Sequence, residues 1–410
     1  MAVIRPFRAV RPVKEVAHLV ASVPYDVVNK EESAELAKGN PISFLRVTRS
    51  EIEIMEKINP YSSEVYQKAK DNYKRLKEEA PLLKDDKPCF YVYKLVMGQQ
   101  QQVGIAATFA VDDYDNDIIK KHEKTRKEKE DDRTNHIITT EAQTGAVFLT
   151  YKDVEKVDVV VNKTMAENDP LYDFTAPDGI KHTLWVMPEK FEETVIKEIG
   201  KVKYLYIADG HHRAASAGRA RKVKKENNDF HNGSEEYNFF FAVLFPAKQL
   251  KIMPYNRVVH DLRQTSTEFL ENVSKNFTIE KTGEPNPPNR KTIAMYFEKE
   301  WYLLTPNKNV KEADNVGDNL DVSILQNYLL DPVFGIKDPR TDHNVDFIGG
   351  IRGTAELEKL VNNGKAAVAF SMYPLSVDDL INISDAGEIM PPKSTWFEPK
   401  LRDGLLVHEI

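Results

Sequence analysis

One stretch constrains the fold more than any other. Val202 to Ala208 is a largely apolar run of strand length, Asp209-Gly210 follows it, and His211 to Lys225 is rich in Ala, Arg and Lys. A β-rich run, a turn dipeptide and a block of helix formers predict a strand, a tight turn and a helix. A strand feeding directly into a helix belongs to a mixed α/β architecture. It also puts the helix start, whose outward N–H groups carry partial positive charge, at the end of a strand, and that is an anion-binding geometry. The side chains suit the same purpose. Gly210 permits a tight turn and close approach, Arg213 offers a planar fork for phosphate oxygens, and His211 and His212 add two titratable donors. Asp209 can accept a proton or hold a magnesium ion. As a plain helix cap Asp209 would contribute about 1 kcal/mol, but capping does not account for two histidines and an arginine in the same turn.

The remaining patterns extend the α/β reading along the chain. At 410 residues the sequence exceeds one ordinary core. It divides by composition and pattern into an N-terminal region (1–80), a central region with the His122 and Asp209 motifs (81–260) and a C-terminal α/β unit (261–410). Tyr61 to Ala80 has the spacing of an amphipathic helix; Cys89 to Met97 and Val103 to Ala110 read as a hairpin joined by Gly98 and a glutamine cluster. Gly145 to Tyr151, Val157 to Val161 and Phe239 to Phe245 read as strands, and Thr292 to Leu304 as a hairpin turning near Glu298-Lys299. Val322 to Leu330 reads as a helix stopped by Asp331-Pro332. Two further strands and two helices follow between Phe347 and Ile383. The expected class is α+β, a mixed chain of several units.

Two other segments carry chemistry-bearing residues. Lys120 to Arg133 is predicted as a charged helix that stacks His122, Thr125, Lys129 and Asp132 on one face, with Glu123 and Arg133 beside them. On spacing alone a solvated helix with mixed charge is the better account of it. Met390 to Lys400 combines two prolines with Lys393, Ser394, Thr395 and Trp396, a rigid loop in which the ammonium can meet phosphate and the indole can cover a ring. A tail packed on the body has the same composition. The single cysteine, Cys89, forms no internal disulfide, and no apolar run reaches the roughly 18 residues a spanning helix needs. With no signal-type N-terminus, the expected compartment is the cytoplasm. A net charge of −7 argues against nucleic acid as a partner and for small-molecule chemistry. Walker, Gly-x-Gly-x-x-Gly, paired-cysteine and Gly-x-Ser-x-Gly signatures are all missing.

Ile4-Arg5-Pro6-Phe7, Pro24-Tyr25-Asp26-Val27, His122-Glu123-Lys124-Thr125 with Asp132-Arg133, Ile207 to Arg213, and Met390 to Thr395 resemble, in order and from end to end, the family catalogued as domain of unknown function 1015. The Asp-Gly-His-His-Arg turn is also similar, over a shorter stretch, to the phosphate-handling turn of the ParB and sulfiredoxin superfamily, which includes free serine kinases. The resemblance implies a ParB/sulfiredoxin-like phosphate-binding core. It further implies a nucleotide, ATP or ADP, or a phosphorylated small molecule at the start of the Asp209 helix, and serine or phosphoserine as substrate.

Phosphoryl transfer needs a metal-binding acid, a base and several cations. The expected roles are Glu123 as general base or metal ligand and Asp209 as metal ligand for magnesium, with His211 and His212 as phosphate donors or proton shuttles. Arg213, Arg133 and Lys393 are the expected phosphate clamps; Gly210, His122 and Trp396 border the ligand. Two readings of other classes stay open. One is a metal-dependent phosphatase in which His211, His212, Asp209 and His122 hold a transition metal. The other is a non-catalytic nucleotide switch. The sequence is compatible with a homo-oligomer and does not fix the number of copies.

Overall fold

The computed structural model describes residues 2–54 and 58–410. The chain forms two units, a larger one of Met1–Lys121, Thr125–Leu250 and Pro399–Ile410, and a smaller one of His122–Lys124 and Lys251–Glu398. The fold is mixed α/β.

The larger unit is built on a nine-stranded sheet. Its strands are β1 (Ile4–Arg5), β2 (Tyr91–Met97), β3 (Gln100–Ala110), β4 (Ile119–Lys120), β5 (Val147–Tyr151), β6 (Tyr172–Thr175), β7 (Lys181–Val186), β8 (Leu205–Asp209) and β9 (Phe239–Pro246). The spatial order is β4-β8-β5-β9-β3-β2-β7-β6, with β1 also paired to β3. Three of the four glutamines, Gln100 to Gln102, are strand rather than loop, because Gly98, with φ of 58°, and Gln99 close the β2–β3 hairpin in two residues and Met97 pairs with Gln100. The run Phe239 to Phe245 is almost wholly buried because β9 lies between β5 and β3 with both faces covered. Phe109, Leu149, Leu205, Ile207 and Phe240 meet in the core. The helices of this unit include α1 (Ser63–Glu79), α2 (Lys127–Thr140), α3 (Glu155–Glu167) and α4 (His211–Glu226). α2 packs on both α1 and α4.

Two sequence expectations fail in this unit. The helix expected over Lys120 to Arg133 starts seven residues later, at Lys127, and runs on to Thr140. Lys120 ends β4 and residues 121–126 are not helical, so His122 and Thr125 share no helical face with Lys129 and Asp132. The mixed-charge run has no apolar period to mark a start; the buried residues are Asp132, Thr134, His136, Ile137 and Thr140. Val157 to Val161 is helix, not strand. α3 buries Val157, Val160, Val161 and Thr164, a helical spacing, so one-sided packing outweighs the β-propensity of valine.

The smaller unit has an antiparallel six-stranded sheet of β10 (Tyr255–Val259), β11 (Phe277–Thr282), β12 (Ile293–Phe297), β13 (Glu300–Pro306), β14 (Val345–Gly349) and β15 (Val368–Met372), in the order β11-β13-β12-β15-β10-β14. Its helices include α5 (Ser266–Ser274), α6 (Asp321–Leu325), α7 (Gly353–Asn362) and α8 (Val377–Ala386). Leu357 of α7 is buried with Val258, Ala294, Tyr296 and Ala369. Asp331-Pro332 does not stop the helix as expected. A π-helical segment, Gln326–Leu330, follows α6 and absorbs the missing proline N–H, and helical structure continues to Phe334, ending at left-handed Gly335. Among the described residues no helix is long and apolar enough to cross a membrane.

Candidate functional site

The turn after β8 begins with an irregular register. Tyr206 opposes Thr150 and Ile207 opposes Leu149, but Asp209 rather than Ala208 opposes Phe148. Such an extra residue re-aims a strand end, here the one that carries Asp209. Gly210 follows with φ 88° and ψ 30° and opens the sixteen-residue helix α4. Only glycine takes that left-handed geometry without strain.

Asp209 Oδ1 accepts the Gly210 N–H at 2.8 Å, and Oδ2 accepts from Lys400 Nζ at 2.6 Å. Burial alone would raise this carboxyl, yet the Lys400 ammonium and the Gly210 N–H hold it down at about 2. It is ionised at neutral pH. Burial pushes the His211 imidazole down to about 4 against the pull of Asp209, so at pH 7 it is a neutral hydrogen-bonding group. His212 Nε2 accepts the Arg126 backbone N–H at 3.0 Å, which leaves its proton on Nδ1.

Arg213 is bidentate to Asp403, with Nη1–Oδ1 2.9 Å and Nη2–Oδ2 3.0 Å. The two side chains are only 13% and 2% exposed. Burial would lower the guanidinium pKa, but Asp403 outweighs it and the group is held above its ordinary value. The pair depends on Gly145, where a β-carbon would fall 1.3 Å from Arg213 Nη1 and 2.2 Å from Asp403 Oδ1. Arg133 pairs with Asp132 at 2.9 Å, and Tyr66 donates to the other Asp132 oxygen at 3.1 Å. The Arg133 and Arg213 guanidinium carbons stand 4.0 and 5.4 Å from the Tyr25 ring centroid. A cavity of about 30 Å³ is lined by Tyr25, Arg133, Gly145, Arg213 and Asp403. A second, of about 20 Å³, is lined by Asp26, Asp209, Gly210, Arg213, Lys400 and Asp403. Each has room for about one or two waters, which is the scale of a phosphate oxygen rather than of a whole nucleotide.

Of the residues singled out in the sequence, Asp209, Gly210, His211, His212, Arg213 and Arg133 therefore lie in the larger unit, with Arg133 and Arg213 sharing one ring. His122, Glu123, Lys393 and Trp396 belong to the smaller unit. There His122 is buried and its carbonyl accepts the Met390 N–H at 2.8 Å. Glu123 is half-buried. Lys393 Nζ is 5.6 Å from the Tyr255 ring, and Trp396 packs edge-on to the same ring while its indole N–H reaches Glu398 at 2.9 Å.

Tyr25, Asp26, Gly145, Lys400 and Asp403 were missed as site residues. One signal existed: Lys400, Arg402 and Asp403 place three charges at the head of the apolar stretch that ends in Leu405-Leu406-Val407. Among the described residues no group of three or more His, Cys, Asp or Glu is placed to hold a metal ion. Lys400 at Asp209 makes the surroundings of that carboxylate cationic, and they fit an anion better than a resident metal.

A family model described as Protein of unknown function (DUF1015) matches residues 4–323. The chain belongs to that family. No curated protein matches it. Among solved structures it is similar to SbnI with C-terminal truncation from Staphylococcus aureus, at 13% identity and a TM-score of 0.39, over 74% of this chain and 86% of that one. It is also similar to a conserved hypothetical protein from Pyrococcus furiosus, at 11% identity and 0.36, over 74% and 94%. A free serine kinase in complex with AMP matches at 10% identity and 0.37, over 74% and 91%. At these scores the likeness carries no argument about activity.

Proposed function

We propose that the protein is a phosphotransferase that moves a phosphate group between a nucleotide and a small hydroxyl metabolite such as serine, with the phosphate held at the Asp209–Arg213 turn. The observation that carries this reading is the left-handed Gly210 at the start of a sixteen-residue helix, with Lys400, Arg213 and Arg133 gathered in the same unit. Transfer of a phosphoryl group asks for positioning and charge neutralisation more than for covalent chemistry, and a helix start with cations supplies both.

In this reading Lys400 is the cation that meets the phosphate. Both Nη groups of Arg213 are engaged by Asp403, so Arg213 braces the turn. Neutral His211 adds a hydrogen bond without adding charge. Magnesium enters with the nucleotide, because this ion keeps waters and substrate phosphates among its ligands and the turn offers it no resident site. Purified protein incubated with labelled ATP or ADP, magnesium and serine or phosphoserine tests the reading. Label should pass to the hydroxyl compound or back to the nucleotide. Neither transfer nor hydrolysis, together with no nucleotide-induced thermal shift, would sink it. Lys400→Gln should weaken nucleotide binding about ten- to a hundredfold, the loss of a charge-assisted contact of about 1.5–3 kcal/mol.

A further inference from the structure

We propose that the smaller unit carries a second ligand site, for a zwitterionic α-amino acid with a small apolar side chain, between the starts of α6 and α8. A cavity of about 290 Å³ lies there, lined by Arg290, Val316, Leu320, Asp321, Leu375 and Asp379 among others. That volume is at the lower end of small-molecule sites, which run to about 300–1,000 Å³, so the ligand is small.

Asp321 decides the ligand's charge. Its side chain lies in a residue only 7% exposed, and its hydrogen bond is from the Lys291 backbone N–H at 2.8 Å. Among the described residues no ammonium or guanidinium forms an ion pair with it. The neighbouring Asp379 is provided for: it takes the Arg290 guanidinium and, in the capping box of α8, the Ser376 N–H at 2.8 Å and hydroxyl at 2.7 Å. A buried carboxylate without a cation is costly, and groups so placed in a cavity are candidates for function. Burial pushes the Asp321 carboxyl up to about 6; the Lys291 N–H and the nearby charges of Arg290 and Lys291 pull it down, and Asp379 adds to the rise. At neutral pH it is mostly ionised and receives a cation of the ligand's own.

The other groups select an amino acid. Arg290 is half exposed and meets Asp379 through Nη2 alone, so its remaining N–H donors can take a carboxylate. Val316, Leu320 and Leu375 form the apolar wall for a side chain. Asn319 is spent on Ala313 and Asn315 and takes no part. A divalent cation would ask for more acidic ligands than the two carboxylates present.

This inference does not depend on the phosphate turn. The test is calorimetry and backbone NMR on the full chain with L-valine, isobutylamine, isovalerate and magnesium chloride. L-valine should shift the Asp321 and Leu375 amides and saturate; isobutylamine, which lacks the carboxylate, and isovalerate, which lacks the ammonium, should bind at least tenfold more weakly. Asp321→Asn and Arg290→Gln should each weaken L-valine at least tenfold, and binding to the wild type should fade as the pH drops below 6. Asp321→Asn replaces an unpaired buried charge by a neutral isostere, so it should fold at least as well as the wild type. No L-valine binding to the wild type, equal binding by folded Asp321→Asn, or shifts produced by magnesium and not by L-valine would each overturn the proposal.

Discussion

The turn of the larger unit and the cavity of the smaller one hold charge in different ways. At the turn, buried Arg213 meets Asp403, buried Arg133 meets Asp132, and Asp209, 38% exposed, meets Lys400, each by a direct ion pair. In the smaller unit Asp321 meets only a backbone N–H. A buried pair is expensive to break from one side, because the partner is left charged and dry. A buried charge with no partner is the reverse: taking the charge away relieves the fold. Paired charges thus fix the shape of the turn, and the unpaired one is kept at a cost to stability.

The sharpest way to break this contrast is to remove one member of a pair. Asp403→Ala should destabilise the larger unit by about 3–5 kcal/mol, measured by urea denaturation, since Arg213 is left buried without its carboxylate. A loss below about 1 kcal/mol would mean that the pair is well hydrated. Gly145→Ala attacks the same pair by shape. The added methyl cannot coexist with Arg213 Nη1 where it stands, and a cost of about 1–3 kcal/mol is expected in the same assay. Asp321→Asn should go the other way, raising stability by about 1–2 kcal/mol at pH 7, with the gain shrinking as the pH falls towards 4.

The smallest effects are the titrations themselves, and their signs oppose each other. Burial holds His211 at about 4, and His136 and His182 at about 3, all in the larger unit. On acidification the unfolded chain takes up these protons first, so the stability present above about pH 6.5 is lost as the pH falls towards 4 and below. Asp321 is raised instead. Its contribution is present below about pH 4 and is lost as the pH rises through 6. Hydrogen exchange, corrected for the intrinsic pH dependence, should show β5, β8 and β9 losing protection between pH 6 and 4 while β12 and β15 gain. A common trend in both sheets would refute the contrast.

The Asp209 turn was legible because everything it needs is local: an apolar run, Asp-Gly, and helix formers within about two dozen residues. The hairpins at Gly98 and at Glu298-Lys299 were legible for the same reason, as short-range turn chemistry. The start of α2 was not, since charge alternates through Lys120 to Arg133 without an apolar period. Val157 to Val161 misled through propensity, although its buried positions keep a helical spacing. The partners of the turn were the least legible part. Lys400 and Asp403 lie 191 and 190 residues from Asp209 and Arg213, and no local pattern tells which distant residue will neutralise a buried charge.

The segment Pro399–Ile410 has a consequence for how the protein is made. It returns to the larger unit after the whole of Lys251–Glu398 has gone into the smaller one. There it brings Lys400 to Asp209, Asp403 to Arg213 and Ser22, Val407 to Val10, and His408 to Gln143. Synthesis runs from the N-terminus, and domains generally fold as they emerge. The larger unit cannot do so in full. It begins first at the ribosome and waits, with Arg213 lacking its carboxylate and Asp209 its ammonium, until almost 150 further residues have been joined. For that interval it depends on its own sheet and helices, and a chain lacking residues 399–410 would lose Lys400 and Asp403 from the turn.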